Sequence, residues 1–164
     1  TATRNEYLHK MNEQTTEVTD ALRDIVWSIN PKNDKLDIIL ARMKRYAAEL
    51  LESRDIGYTF TSDIVETNET LEADIRQNLY LIFKEAVNNL AKYSGASVAT
   101  ISMLQHGNRL HLEVNDNGNG FDPAHVKKGN GIDNMQRRAK AMSAEFSLVS
   151  KEGEGTTITV DVIL

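Results

Sequence analysis

The sequence predicts an α+β fold: a two-layer sandwich in which helices cover a mixed β-sheet, with a helical arm at the N-terminus. Apolar residues recur at helical spacing over four segments, and shorter runs alternate polar with apolar around Gly-containing turns. After the arm, the elements run helix, strand, helix, hairpin, helix, hairpin, an order that suits a mixed sheet rather than a bundle or a barrel.

From about Asn5 to Ile29 no Gly or Pro interrupts the chain, and Leu8, Met11, Val18, Leu22, Ile25 and Ile29 mark one face of a long amphipathic helix. Asn30 and Pro31 end it. Asp34 is the expected N-cap of a second helix, with Leu36, Ile39, Leu40, Met43, Tyr46, Ala47, Leu50 and Leu51 as its apolar stripe. Gly57 breaks that helix. Tyr58 to Thr61 then reads as a strand and Asp63 to Thr70 as a polar loop. A third helix, Leu71 to Tyr93, carries Ile75, Leu79, Ile82, Phe83, Ala86, Val87 and Leu90 on its buried face. Strands at Ser97 to Leu104 and Arg109 to Asn115 flank a turn whose Gly107 and Asn108 suit a tight hairpin. A helix from Ile132 to Met142 precedes the last strand pair, Glu145 to Ser150 and Thr156 to Leu164, joined through Lys151 to Gly155.

A chain of 164 residues accommodates one domain with a real core and an added arm. Nineteen Lys and Arg against 24 Asp and Glu leave a net charge of -5, which argues against a surface that lies along nucleic-acid phosphates. The absence of Cys excludes disulfides, thiolate-bound zinc and thiol catalysis. No apolar run approaches the roughly 20 residues of a membrane-spanning helix, and the opening TATRNEYLHKM lacks the order of a signal peptide. Because Thr1 leads straight into a helical pattern, a further upstream part of the protein is expected.

Chemistry concentrates on the third helix and in three glycine segments. Glu85, Asn88, Asn89 and Lys92 fall at i, i+3, i+4 and i+7, so they share one polar stripe. Such a stripe is commonly just solvated surface. Two adjacent Asn residues, however, are poor helix formers unless they bind something; an amide oxygen suits Mg²⁺ and a Lys suits phosphate. Asp116-Asn117-Gly118-Asn119-Gly120 ends a strand, where a carboxylate can accept from an exocyclic amine and glycines let backbone approach a ligand, although a plain turn would look the same. Gly129-Asn130-Gly131 precedes a helix, where exposed N–H groups favour phosphate; a flexible helix start is the alternative. Gly153-Glu154-Gly155-Thr156 reads by itself as a hairpin turn.

Taken in order, these pieces resemble the Bergerat-type ATPase domain shared by histidine kinases, gyrase B, Hsp90 and MutL, over roughly Leu71 to Leu164. Within that group, IFKEAVNNLAKYSGA, DNGNGF and GNGIDNMQRRAKAM look most like sensor histidine kinases that pair with NarL-like response regulators. The stretch from Asp24 to Ile56 is similar to the segment joining dimerisation and catalytic domains there. The implied division is residues 1–31 as the end of a dimerisation and phosphotransfer hairpin, and 32–164 as the ATP-binding catalytic domain.

The resemblance implies roles residue by residue. Asn89 matches the Mg²⁺-binding Asn, with Asn88 beside it, and Glu85 matches the acid that polarises the attacking group. Asp116 matches the adenine-recognising Asp, with Gly118 and Gly120 shaping the pocket and Thr156 joining the adenine contact. Gly129 and Gly131 match the glycines beside the triphosphate. Lys92 and Arg137 are the expected phosphate contacts, Tyr93, Ile132 and Met135 complete the nucleotide site, and Phe121 to Lys128 is a short lid. The implied cofactors are ATP and Mg²⁺. The implied partners are a phosphoacceptor-His helix of the same or a partner protomer, a response regulator, and a second copy of the chain in a homodimer; the implied location is cytoplasmic.

Three departures stand out. Leu90 replaces a usually small residue, Tyr93 stands where His is common, and no phosphoacceptor box is present, since His9 is followed by Lys10 and Met11. His106, His111 and His125 are expected to be surface or structural residues, so this chain by itself is not expected to autophosphorylate. A serine kinase of the anti-sigma-factor type shares the pocket but normally lacks the arm. A non-catalytic interaction module is the other alternative, against which the complete ATP motifs argue. No P-loop string is present.

Overall fold

Alternation along the strands decides which face of the sheet is buried. In the computed structural model, which describes residues 2–64, 70–123, 125 and 130–164, five strands form one sheet. They are β1 (Gly57–Ser62), β2 (Val98–His106), β3 (Arg109–Asp116), β4 (Glu145–Lys151) and β5 (Gly155–Ile163), in the order β1-β2-β3-β5-β4. β1 runs parallel to β2 and every other neighbouring pair is antiparallel. Register puts Ile101 opposite Val114 and Val114 opposite Ile158, and likewise Met103, Leu112 and Val160 in one row. These six are buried on the inner face, whereas Ser102, Glu113 and Thr159 share a row on the other.

Helices α2 (Leu36–Glu52), α3 (Ala73–Tyr93) and α4 (Asn130–Ala141) cover that inner face. α3 is central because Leu79, Ile82, Phe83, Ala86, Val87 and Leu90 recur every three or four residues and are all buried. Truncating one of these large side chains to Ala would cost about 2–5 kcal/mol. The predicted fold class and element order are therefore those found: an α+β sandwich with a mixed sheet.

Several boundaries differ. α3 begins at Ala73 rather than Leu71, β2 extends to His106, and Gly107, at φ +63°, makes the hairpin turn with Asn108. Asp34 is not the N-cap of α2; that position is Lys35, without a side-chain cap. The Asp34 carboxylate instead accepts from buried Arg76 on α3, whose guanidinium also reaches the Leu71 carbonyl at 3.1 Å. Pairing a buried cation outweighs capping one helix end. Residues 65–69 of the expected polar loop lie outside the described residues.

The arm, α1 (Ala2–Ser28), meets the domain near its C-terminal end and leads through a 3₁₀ turn (Pro31–Asn33) into α2. Asp24 of α1 is 5% exposed and pairs with Arg42 of α2 and Lys84 of α3, each at 2.6 Å. The Arg42 guanidinium lies 4.2 Å from the Trp27 ring centroid, and Trp27 packs 5.8 Å from Tyr80. The arm's apolar stripe does not fold back onto the domain. Leu8, Met11, Val18 and Leu22 all stay exposed.

Candidate functional site

Two-residue alternation carries Asp116 onto the same inward face as Leu110, Leu112 and Val114, so β3 ends by turning a carboxylate into the interior. Asp116 is 6% exposed. Its Oδ1 accepts from the Gly118 N–H at 2.8 Å, and the Thr156 backbone N–H also donates to the carboxylate. Burial pushes the carboxyl above its ordinary value, and these two donors offset part of that shift.

The loop after Asp116 is pinned on three sides. The Asn119 N–H donates to the Ser94 carbonyl at 2.7 Å, and Ser97 and Val98 donate to the Asn117 side chain. On the other side, Ser150 Oγ accepts from the Phe121 N–H at 2.9 Å and lies 2.9 Å from Thr156 Oγ1. Gly120, at φ +57°, runs so close to β4 that a Cβ there would collide with the Lys151 carbonyl. Gly120 of this loop and Gly155 of the last hairpin are thus more than turn formers, because they let the two segments close on each other.

Above Asp116 lies a cavity of about 490 Å³. Asp116, Gly120 and Thr156 line one part and Glu85, Asn89 and Gly131 another, with Tyr93, Ile132 and Met135 also on the wall. α3 and α4 pack side by side, and this places Glu85 against the first turn of α4. The helix's positive end and its first-turn N–H groups, which have no partner within the helix, therefore face the same space as the Asn89 amide.

A second cavity, of about 550 Å³, opens behind Glu85 and Met135, which line both. Asn88, Lys92 and Arg138 line this one and not the first. The polar stripe of α3 is therefore divided, Asn89 facing one cavity, Asn88 and Lys92 the other, and Glu85 both. Arg137 lines neither; it is exposed and its guanidinium donates to the Asn134 side chain. Arg138, which sequence reasoning passed over, is half-buried beside Glu85. Burial and Arg137 lower its pKa from the ordinary guanidinium value, and Glu85 offsets part of this. Helical spacing was the missed signal: Arg138 is seven residues after Gly131 and shares its face, whereas Arg137, at six, points away.

Gly129 and lid positions 124 and 126–128 lie outside the described residues. His106, His111 and His125 line neither cavity. His111 Nδ1 instead lies 3.1 Å from Asp161 on the sheet's outer face. Among the described residues no helix is long and apolar enough to cross a membrane.

A buried acceptor for an amine, a helix N-terminus and an Asn amide around one cavity make a nucleotide-shaped set of contacts, and comparison with known proteins agrees. The family of histidine kinase-, DNA gyrase B- and HSP90-like ATPases matches residues 74–164, over half of the chain. The chain belongs to that family. Within it, the chain is 28% identical over 144 residues to the signal transduction histidine-protein kinase/phosphatase UhpB of Salmonella typhimurium, covering 87% of the chain and 28% of UhpB. It is 34% identical over 101 residues to the sensor histidine kinase LiaS of Bacillus subtilis, covering 61% of the chain and 28% of LiaS. The chain thus spans less than a third of the length of either relative. Histidine kinase AdeS of Acinetobacter baumannii shares the fold, with a TM-score of 0.66 at 14% identity over 96% of this chain and 82% of that one. The domain is a sensor histidine kinase-type ATP-binding domain.

Proposed function

We propose that this domain transfers the γ-phosphoryl group of Mg-ATP to an imidazole nitrogen of a histidine on a helix of the same or a partner protomer, for passage to an aspartate of a response regulator. The observation that supports this most is the buried Asp116 carboxylate at one end of a cavity whose other end carries Glu85, Asn89 and the start of α4. Asp116 accepts from the exocyclic amine of adenine, and Thr156 stands beside it. Gly118 keeps the carboxylate oriented through its N–H. Asn88 and Lys92 face the outer cavity, where Lys92 adds positive charge near the phosphates.

The donor set fits Mg²⁺ arriving with its nucleotide. Among the described residues no group of three or more His, Cys, Asp or Glu could hold a metal alone, whereas the Asn89 amide oxygen is a hard ligand of the kind that completes a phosphate-bound Mg²⁺. When bound, Mg²⁺ neutralises charge developing on the phosphate oxygens. The chain's own residues position the reactants: Asn89 and the first turn of α4 hold the phosphate end, and Glu85, between the two cavities, takes up or orients the proton of the attacking group.

Calorimetry tests the binding half. ATP should bind the native chain, lose binding in Asp116→Ala, and lose its Mg²⁺ dependence in Asn89→Ala; a folded chain that binds no ATP refutes the reading. For the transfer half, the chain is mixed with a separately supplied histidine-bearing helix. Product stable to base and labile to acid marks a phosphohistidine, and acid-stable phosphoserine would favour the serine-kinase alternative.

A further inference from the structure

Among the described residues, cations that are not exposed come with carboxylates, with one exception. Arg42 and Lys84 share Asp24, and buried Arg76 holds Asp34. Arg138 is the remaining half-buried cation among the described residues. Its Nη1 donates to Asn78 Oδ1 at 3.4 Å, long for a hydrogen bond, and no described carboxylate stands within ion-pair distance of it. A guanidinium so placed is partly desolvated, and the nearby Glu85 and the long Asn78 contact return only part of the cost. Uncompensated burial of charge next to a binding cavity is a mark of function, because the missing counter-charge can come from the ligand.

Position says which ligand group that is. Arg138 lies two helical turns beyond Gly131 on one face of α4, in the cavity behind Glu85. A nucleotide with its base at Asp116 directs its phosphates past Asn89 and Gly131 toward Glu85, so the end of the chain of phosphates meets the boundary between the two cavities. Among the cations beyond that boundary, Lys84 is held by Asp24, Lys92 is exposed and screened by water, and Arg137 is outside the cavity. Among the described residues Arg138 alone is partly desolvated with no carboxylate at ion-pair distance, and its planar fork matches phosphoryl oxygens. We infer that Arg138 contacts the γ-phosphate and is the residue by which this domain distinguishes ATP from ADP. The inference rests on the nucleotide reading of the first cavity.

The test is calorimetry of ATP and of ADP with the whole chain as native, Arg138→Gln, Arg138→Lys and Lys140→Gln. The last makes the same charge change at an exposed position of the same helix. Arg138→Gln should weaken ATP by about tenfold to a hundredfold, the range for a lost charged hydrogen bond, and leave ADP within about twofold. Arg138→Lys should recover part of the ATP affinity, and Lys140→Gln should change neither. The melting temperature of ligand-free Arg138→Gln should be no lower than native, since the substitution removes a half-buried charge that no ion pair compensates and leaves an amide to bond Asn78. Equal weakening of ATP and ADP, no weakening of either, or a fall in melting temperature would each overturn the assignment. A native chain that binds neither nucleotide overturns the nucleotide reading itself, and the assignment with it; native binding with an indifferent Arg138→Gln overturns the assignment alone.

Discussion

Glu85 Oε1 fills the space that a side chain on Gly131 would need, and Asn89 Nδ2 stands 3.6 Å from the same point. α3 thus lays its carboxylate and amide directly on the first turn of α4. Gly131 is required for this closeness; unlike Gly120 it has no positive φ.

Two glycine substitutions should therefore behave oppositely. In Gly131→Ala the clash is with the mobile end of Glu85, so Glu85 moves and stability changes by no more than about 1 kcal/mol, helped by the better helix propensity of Ala. ATP affinity should nonetheless fall. In Gly155→Ala, at φ +80°, the new Cβ meets the Asp116 backbone carbonyl, which cannot yield without breaking β3–β5 pairing. A loss of about 2 kcal/mol or more is expected there. Thermal melting paired with calorimetry separates the two; a strongly destabilised Gly131→Ala would contradict this account.

Asp116 should make stability and binding respond oppositely to pH. Its folded-state carboxyl titrates above the unfolded value, so the folded state holds the proton more tightly. That contribution is present below the unfolded carboxylate range and is lost as pH rises through the folded value. At neutral pH, Asp116→Asn should melt at or above the native temperature while keeping an oxygen for the Gly118 N–H, and the difference should close on acidification. ATP binding needs the ionised acceptor, so native affinity should fall as pH drops through the same range. Melting curves and titrations across pH check both; native affinity independent of pH through that range would remove Asp116 from adenine recognition.

The sequence makes the fold readable wherever one period dominates. The stripe of α3 and the alternation of β3 put Leu79 to Leu90 and Leu110 to Val114 inside, and Asp116 follows from the same alternation. What the sequence hides is pairing between distant residues. Nothing local says that Asp34 serves Arg76 rather than α2, or that Ser150 ties the Asp116 loop to Thr156. The split of the α3 stripe between two cavities is hidden too, because it depends on where α4 packs.

Asp24 fastens the arm. Replacing it with Ala leaves Arg42 and Lys84 without a carboxylate, and since both are partly exposed the cost should be about 2 kcal/mol, below that of a fully buried pair. Trp27 is the chain's one Trp and lies beside Arg42 and Tyr80, so its emission should shift to the red in Asp24→Ala as water reaches the ring. An unshifted spectrum with native melting would mean that aromatic packing alone holds the arm.

Among the described residues the outer part of α1 shows no such attachment. Leu8, Met11, Val18 and Leu22 lie on a 27-residue helix, and Leu22 is still 57% exposed only two residues before the buried Asp24. An apolar stripe of that length in water favours association, and a second copy offers the matching stripe at no further design. Sedimentation should therefore show a concentration-dependent dimer. Met11→Asp with Leu22→Asp should give a monomer with unchanged ATP affinity, because neither residue lines the nucleotide cavity. A native chain that stays monomeric at every concentration would refute self-association through this face.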